Sequence, residues 1–415
     1  MPQSWRYRLA AQTRHFSEPI LAMALPRAKA IDDLASSHAL VIGLFSSAIG
    51  HGSAANLLLL ELEKDGIRCE TCDVSRFIVA PTDAKANRGD LGATPNATEA
   101  PTIILVLNPD IAIHILSHLG PAILKHKRVI AYWVWELEIP PIHWRRLGHL
   151  VHEIWTPSQF SALSLAKIFD KPIHVVPHPA ALAETPALTP DMRLRARRAL
   201  GIAETSFVAL QSFSFASSLE RKNAIGAIKA FSRAFGPDED ACLIIRHLSS
   251  DIYPGALGRL QAAATLAGPK VKLIAASDCP IGLYDFYAMA DVYISLHRSE
   301  GFGLNLAEAM RAGLPVIATG WSGNLDFMDA TSAALVPYHL DFINDPERIY
   351  NDRRAKWAYA DLSFASTHLR TLFEQRGQEN ELCGRAKQMI SAKLSGGEAA
   401  RLLRRQSTTA ENSNA

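Results

Sequence analysis

Short β-branched runs and helix-like stretches alternate along this chain. The run A-L-V-I-G-L at 39–44 leads through S-S-A-I-G-H-G-S into A-A-N-L-L-L-L-E-L-E-K, which predicts a strand, a turn and a helix. The same alternation continues through G-I-R-C-E-T-C-D-V, T-I-I-L-V-L, a helical stretch near 111–126, R-V-I-A-Y-W-V-W-E-L, E-I-W-T-P-S-Q-F and I-H-V-V-P-H-P. Beyond residue 191 it resumes. An apolar strand starts at Phe207, and an amphipathic helix follows with Ile225, Ile228 and Phe231 at helical spacing; A-C-L-I-I-R and A-D-V-Y-I-S-L are further strands. Runs that are apolar on both faces suit buried parallel strands. Repeated β-α units predict doubly wound sheets that bind ligands at the carboxyl ends of their strands.

The densest chemistry lies between Ser295 and Asp326, S-L-H-R-S-E-G-F-G-L-N-L-A-E-A-M-R-A-G-L-P-V-I-A-T-G-W-S-G-N-L-D. It reads as strand, glycine turn, helix, strand and second glycine turn. Gly301 and Gly303 let backbone approach a ligand with no Cβ between them. Leu304 to Ala312 is helical in composition, and Gly313-Leu314-Pro315 stops it. Such a helix aims unpaired N–H groups and about half a positive charge at whatever covers the turn, which suits a phosphate. Glu300 on the loop and Glu308 on the second turn reach different parts of one elongated ligand. Carboxylates beside phosphate accept protons from sugar hydroxyls. Upstream, Glu220-Arg221-Lys222-Asn223 places two cations at a strand-to-helix junction, which by itself usually describes only a solvated helix end.

E-x(7)-E, followed by A-M-x-x-G-x-P-V-I-A-T and S-G-N-x-D-F, resembles the donor site of retaining glycosyltransferases of family 4, within group 1. The resemblance implies an α/β chain with the GT-B fold, two Rossmann-like doubly wound domains facing each other across a cleft. It matches Glu300 to the glutamate beside the donor sugar and Glu308 to the one holding the ribose hydroxyls. The amides of Gly301, Phe302, Gly303, Leu304 and Asn305 match the loop over sugar and diphosphate, and Lys222 with Arg221 the basic pair that clamps the diphosphate. Many members carry an Arg soon after the preceding strand. Here Ala216, Ser217 and Ser218 occupy that stretch, so the second cation is Arg221 or lies elsewhere. Gly50 and Gly52 resemble the glycine loop of the first domain, although G-H-G alone is only a tight turn. Tyr132-Trp133-Val134-Trp135-Glu136-Leu137 is similar to an element of a bacterial polysaccharide-building branch. Trp133, Trp135 and Asn108 are acceptor-side candidates there, the tryptophans either stacking on sugar or packing in the core. Glu136 is the candidate carboxylate nearest the acceptor. Sugar-reading candidates are Ser322, Asn324, Asp326, His297 and Arg298.

Composition narrows the classes. With 43 basic and 41 acidic side chains the net charge is +2, which gives no footprint for nucleic acid. No apolar run approaches a membrane span, which predicts a cytoplasmic chain. Trp5, Arg6, Arg8 and Arg14 lie in a 1–37 extension that reads as loosely ordered, or alternatively as a patch touching the inner membrane surface. Cys69 and Cys72 are read as ordinary thiols, because no second pair completes a zinc site. Asp238-Glu239-Asp240 beside Gly236-Pro237 is read as a solvated turn, so no metal and no cofactor are expected. The expected domains are 38–178 (acceptor), a Pro-rich linker at 179–190, 191–360 (donor), helices at 361–393 crossing back to the first domain, and a disordered tail at 394–415.

The resemblance implies a retaining, metal-independent hexosyltransferase. Its donor is a nucleotide diphospho-sugar and its acceptor a glycan or lipid-linked glycan hydroxyl, in cell-surface polysaccharide biosynthesis. Two alternatives remain, a GT-B nucleotide-sugar epimerase or hydrolase and a catalytically silent GT-B scaffold subunit.

Overall fold

In the computed structural model the described residues are 28, 35–47, 50–77, 98–184, 186–350, 352–376, 378 and 381–405. Most of the 1–37 extension, residues 78–97 and residues 406–415 lie outside them. The chain divides into two compact units. The first takes in the described residues of Trp5–Trp135, Pro140–Leu182 and Gly396–Ala415; the second takes in Glu136–Ile139 and those of Ala183–Ser395.

The first unit is built on a six-stranded parallel sheet of β1 (His38–Gly43), β2 (Arg68–Asp73), β3 (Thr102–Leu105), β4 (Arg128–Tyr132), β5 (Glu153–Thr156) and β6 (Ile173–Val175), in the order β2-β1-β3-β4-β5-β6. The apolar runs at 39–44 and 102–107 are buried on both faces, as a central parallel strand requires. The helical stretch expected to reach 126 ends at Leu119. Gly120 turns the chain at φ +84°, and Pro121 cannot supply a helical N–H. Cys69 and Cys72 both sit on β2 as free thiols, and burial pushes the Cys69 thiol up to about 12.

The second unit repeats the plan with β7 (Phe207–Ser214), β8 (Ala241–Leu248), β9 (Val271–Ala275), β10 (Val292–Ser295), β11 (Val316–Thr319) and β12 (Ala334–Val336). Their order is β12-β11-β10-β7-β8-β9, all parallel. Strand order reverses between β7 and β10, where open α/β sheets bind ligands. An antiparallel hairpin of β13 (Tyr338–Phe342) and β14 (Lys356–Ala360) follows.

The return to the first unit comes later in the chain than the sequence suggested. Helix Leu362–Glu374 buries Ala365 and Leu369 against helix Ala224–Ala234, and helix Glu381–Lys393 packs on Leu304–Ala312, so 361–393 belongs to the second unit. Within the stretch expected as tail, residues 398–404 form a helix. Gly396 and Gly397, at φ +77° and +104°, redirect the chain into helix Glu398–Arg404, whose Ala399, Ala400, Leu402 and Leu403 enter the first unit's core. Both ends of that helix are satisfied. Glu61 Oε1 accepts from the amides of Gly397 and Ala399 at 2.8 Å, and Arg128 donates to the carbonyls of Leu402 and Leu403 at 3.2 and 3.3 Å.

Candidate functional site

The site in the second unit starts with two loops at the point of strand reversal. After β7 the chain forms a short helix, Leu219–Lys222, between Ser218 at φ +68° and Asn223 at φ +50°. Left-handed backbone at two non-glycine residues is costly and is held by bonds. Ser218 Oγ accepts the Arg221 amide at 3.2 Å and donates to Asp345 at 3.2 Å; Asn223 Nδ2 donates to the Leu296 carbonyl at 2.7 Å. The second loop, after β10, carries Glu300, which is 6% exposed. Its amide donates to Ser322 Oγ at 2.8 Å.

The two loops meet at Glu300. Arg221 Nη1 donates to one carboxylate oxygen at 3.0 Å, and Lys222 Nζ pairs with the other. Burial alone would raise the Glu300 carboxyl, but Lys222 and then Arg221 outweigh it and bring it down to about 2. The group is therefore a fixed anion at neutral pH. Arg221 is 2% exposed and engaged by protein groups. It donates to the carbonyls of Ser217 at 3.0 Å and Ser299 at 2.8 Å, stands 3.7 Å from Glu136, and lies over the Tyr350 ring. Lys222 keeps a partly open face. Burial pulls its pKa down, while the paired Glu300 carboxylate opposes this.

Gly303, at φ +101°, opens helix Leu304–Ala312. The amides of Leu304 and Asn305 have no acceptor among the described residues, so they point outward from the helix start. Asn305 Nδ2 ties that turn to the Ser212 carbonyl of β7 at 2.7 Å. Phe302 faces inward, 3% exposed, with its ring 4.8 Å from Phe327. Glu308 accepts from Tyr287 Oη at 2.8 Å, and burial raises its carboxyl. Gly323 lies against this loop. A Cβ there would collide with the Gly301 carbonyl and sit 2.9 Å from the Phe302 nitrogen.

Of the sugar-reading candidates, His297 is fully buried, with Nδ1 3.2 Å from Ser295 and Nε2 3.1 Å from Asn324 Oδ1. Asn324 is itself fully buried, and Ser322 serves Glu300. Arg298 pairs with Glu220 at 3.0 Å beneath Tyr359. These four therefore build the loops, while Asp326 remains half-buried.

Glu136 groups with the second unit. Besides its approach to Arg221, its carbonyl accepts from Ser299 Oγ, although it was expected on the first domain. The other first-half candidates lie in the first unit. Trp133 is 2% exposed, its ring 4.8 Å from Phe169, and thus belongs to the core; Trp135 is half-buried edge-on to Trp144. Asn108 exchanges two 2.9 Å bonds with the backbone of Val134, clamping that segment. Gly50 opens helix Gly50–Lys64. At Gly52 a Cβ would strike the Ser47 carbonyl and come within 2.7 Å of that of Leu44, so glycine is required there for packing.

Three contributors escaped the sequence reading. Tyr350 and Tyr287 carry no local signal, since their roles depend on tertiary contact. Arg246 did have one, as a cation near the carboxyl end of a parallel strand. Glu239 pairs with Arg370 and caps the Gly236 amide, while Asp240 accepts from Thr205 and Ser206. Among the described residues no group of three or more His, Cys, Asp or Glu is placed to hold a metal ion.

Residues 195–339 match the family described as glycosyl transferases group 1. A 128-residue stretch is 36% identical to the GtfA subunit of a UDP-N-acetylglucosamine–peptide N-acetylglucosaminyltransferase from Limosilactobacillus reuteri subsp. suis. That match covers 29% of this chain and 24% of the relative, so the chain spans about a quarter of that relative's length. The chain is similar in structure to Anabaena Alr3699/HepE, solved with UDP and glucose, at TM-score 0.60 and 14% identity over 88% of this chain and 97% of that one. A glycosyltransferase from Rickettsia africae gives TM-score 0.59 and 13% identity over 89% and 96%. Fold and sequence converge on two Rossmann-like units of the GT-B kind, the second matching the group 1 glycosyl transferases across residues 195–339.

Proposed function

We propose that this chain is a retaining glycosyltransferase that moves a hexose from a nucleoside diphosphate sugar to a hydroxyl of a glycan or lipid-linked glycan, without a metal ion. The observation that carries the proposal is the Glu300 carboxylate held by Arg221 and Lys222 beside the outward amides of Leu304 and Asn305. Breaking a glycosyl-phosphate bond builds positive charge on the sugar and negative charge on the departing diphosphate, so fixed charges of both signs close together are what the step needs. Glu300, ionised throughout the working range, accepts hydrogen bonds from sugar hydroxyls and faces the developing cation; it has no proton to give as an acid. Lys222 and the helix amides face the leaving diphosphate. Glu308, oriented by Tyr287, holds the ribose. The UDP complex of Alr3699/HepE favours a uridine donor. A role in cell-surface polysaccharide biosynthesis, at or near the cytoplasmic membrane surface, belongs to the same proposal. No described helix is long and apolar enough to cross a membrane.

The test is a thermal-shift panel of UDP, GDP, ADP, UDP-glucose and GDP-mannose, each with and without EDTA. A ligand that binds only the folded state raises the melting temperature with its concentration. One base is expected to stand out, with EDTA making no difference. Absence of any nucleotide shift would overturn the reading, and loss of the shift in EDTA would overturn its metal-independent part.

A further inference from the structure

A diphosphate carries more than one negative charge, and Arg221 is turned to the protein. Its guanidinium serves two carbonyls and two carboxylates. Arg246 on β8 is in a different position. It lies in register with Ser212 of β7, and its Nη1 donates to Ser212 Oγ at 3.2 Å. Its guanidinium carbon is 5.7 Å from the Phe286 ring centre. Among the described residues no carboxylate lies within ion-pair distance of it. Burial draws its pKa down, opposed by Tyr287, Cys279 and Glu308. A half-buried cation without a counterion is unfavourable unless an anion from outside completes it.

Its surroundings indicate which anion. Ser212, which receives Arg246 on its hydroxyl, receives Asn305 of the first helical turn on its carbonyl at 2.7 Å. The preceding residue, Gln211, donates from Nε2 to the Lys222 carbonyl at 2.8 Å. Two consecutive residues of β7 thus gather Arg246, the segment carrying Lys222, and the open helix start at one end of the sheet. We propose that Arg246 is a phosphate-binding residue, its guanidinium bonding the diphosphate of the nucleotide from the β8 side while Lys222 bonds it from the β7 loop. The inference rests on the nucleoside diphosphate reading above and supplies the second cation that the sequence left unplaced.

The test compares wild type, Arg246→Gln and Arg246→Lys for binding of whichever of UDP, GDP or ADP the wild type binds, and of the corresponding nucleoside. A charge-assisted bond to phosphate makes Arg246→Gln bind the diphosphate about ten- to a hundredfold more weakly. Nucleoside affinity should stay unchanged, and Arg246→Lys should recover part of the loss. Equal weakening for diphosphate and nucleoside would mean that Arg246 only packs the site, and unchanged diphosphate affinity would dismiss it altogether; either overturns the proposal while leaving the nucleotide-sugar reading intact. If wild type binds no nucleoside diphosphate, both fall together. Should Arg246→Gln not fold, Arg246→Lys decides, because a point charge replacing the fork must weaken the diphosphate more than the nucleoside.

Discussion

At Glu300 three ionised side chains share a space almost closed to water, and the balance of terms decides what the carboxylate is. Burial favours its neutral form, but the two adjacent cations outweigh burial and hold it ionised. Because its folded pKa, about 2, lies below the ordinary 4.5, its contribution to stability is fully present above about pH 4.5 and is lost as pH falls through about 2. Glu300→Gln removes that contribution along with the charge facing the sugar. The variant should fold at neutral pH, lose turnover by about a hundredfold or more, and show a flatter decline of stability in acid. Sugar-transfer assays and chemical denaturation between pH 7 and pH 2 measure both; unchanged turnover in the folded variant would remove Glu300 from the site. Glu300 and Glu308 stood out in sequence because they bracket a glycine turn, whereas Lys222 drew notice only through the family resemblance, since a basic pair at a strand-to-helix junction by itself reads as a solvated helix end. Arg221 was legible only as a charge. That it buttresses Glu300 while Lys222 keeps an open face follows from Ser217, Ser299, Glu136 and Tyr350, which come from four separate segments.

The loops after β10 and β11 form one layer because no side chain separates them at Gly323. A methyl there meets the Gly301 carbonyl and the Phe302 nitrogen, both backbone atoms that cannot swing aside. Gly323→Ala should cost about 1–3 kcal/mol and also abolish the nucleotide-induced shift in melting temperature. Gly258, on the exposed face of helix Pro254–Ala267, has nothing within 4 Å of a built Cβ, so the same substitution there should stabilise by about 0.5–1 kcal/mol. Melting curves of the two variants, with and without nucleotide, check the opposed signs. Among elements, the buried parallel strands were readable from composition, since a strand covered on both faces must be apolar throughout. The β13–β14 hairpin was not. Its first strand is exposed along its length, and its partner follows a long Asp- and Arg-rich connection without a tight-turn signal.

Each unit closes its own sheet, and the first recruits residues from far along the chain to do so. Helix Glu398–Arg404 is too short to persist alone and is held by four buried apolar side chains, the Glu61 carboxylate and Arg128. A chain stopped at Ser395 loses the burial of Leu402 and Leu403, about 3–6 kcal/mol by area alone, and strands Glu61 without its amides. It should melt well below the full chain by calorimetry; an unchanged melting temperature would mean that this helix is ornamental. The sequence marked a helical return but assigned it to 361–393, because apolar periodicity shows that a helix docks without saying on what. Synthesis runs in the opposite sense to this dependence. The first unit's strands leave the ribosome early, yet the pair Leu402 and Leu403 that completes their core is translated only after the entire second unit. The first unit must therefore remain unfinished, its helix Gly50–Lys64 lacking that partner, through more than 200 residues of translation, from Leu182 to Leu403.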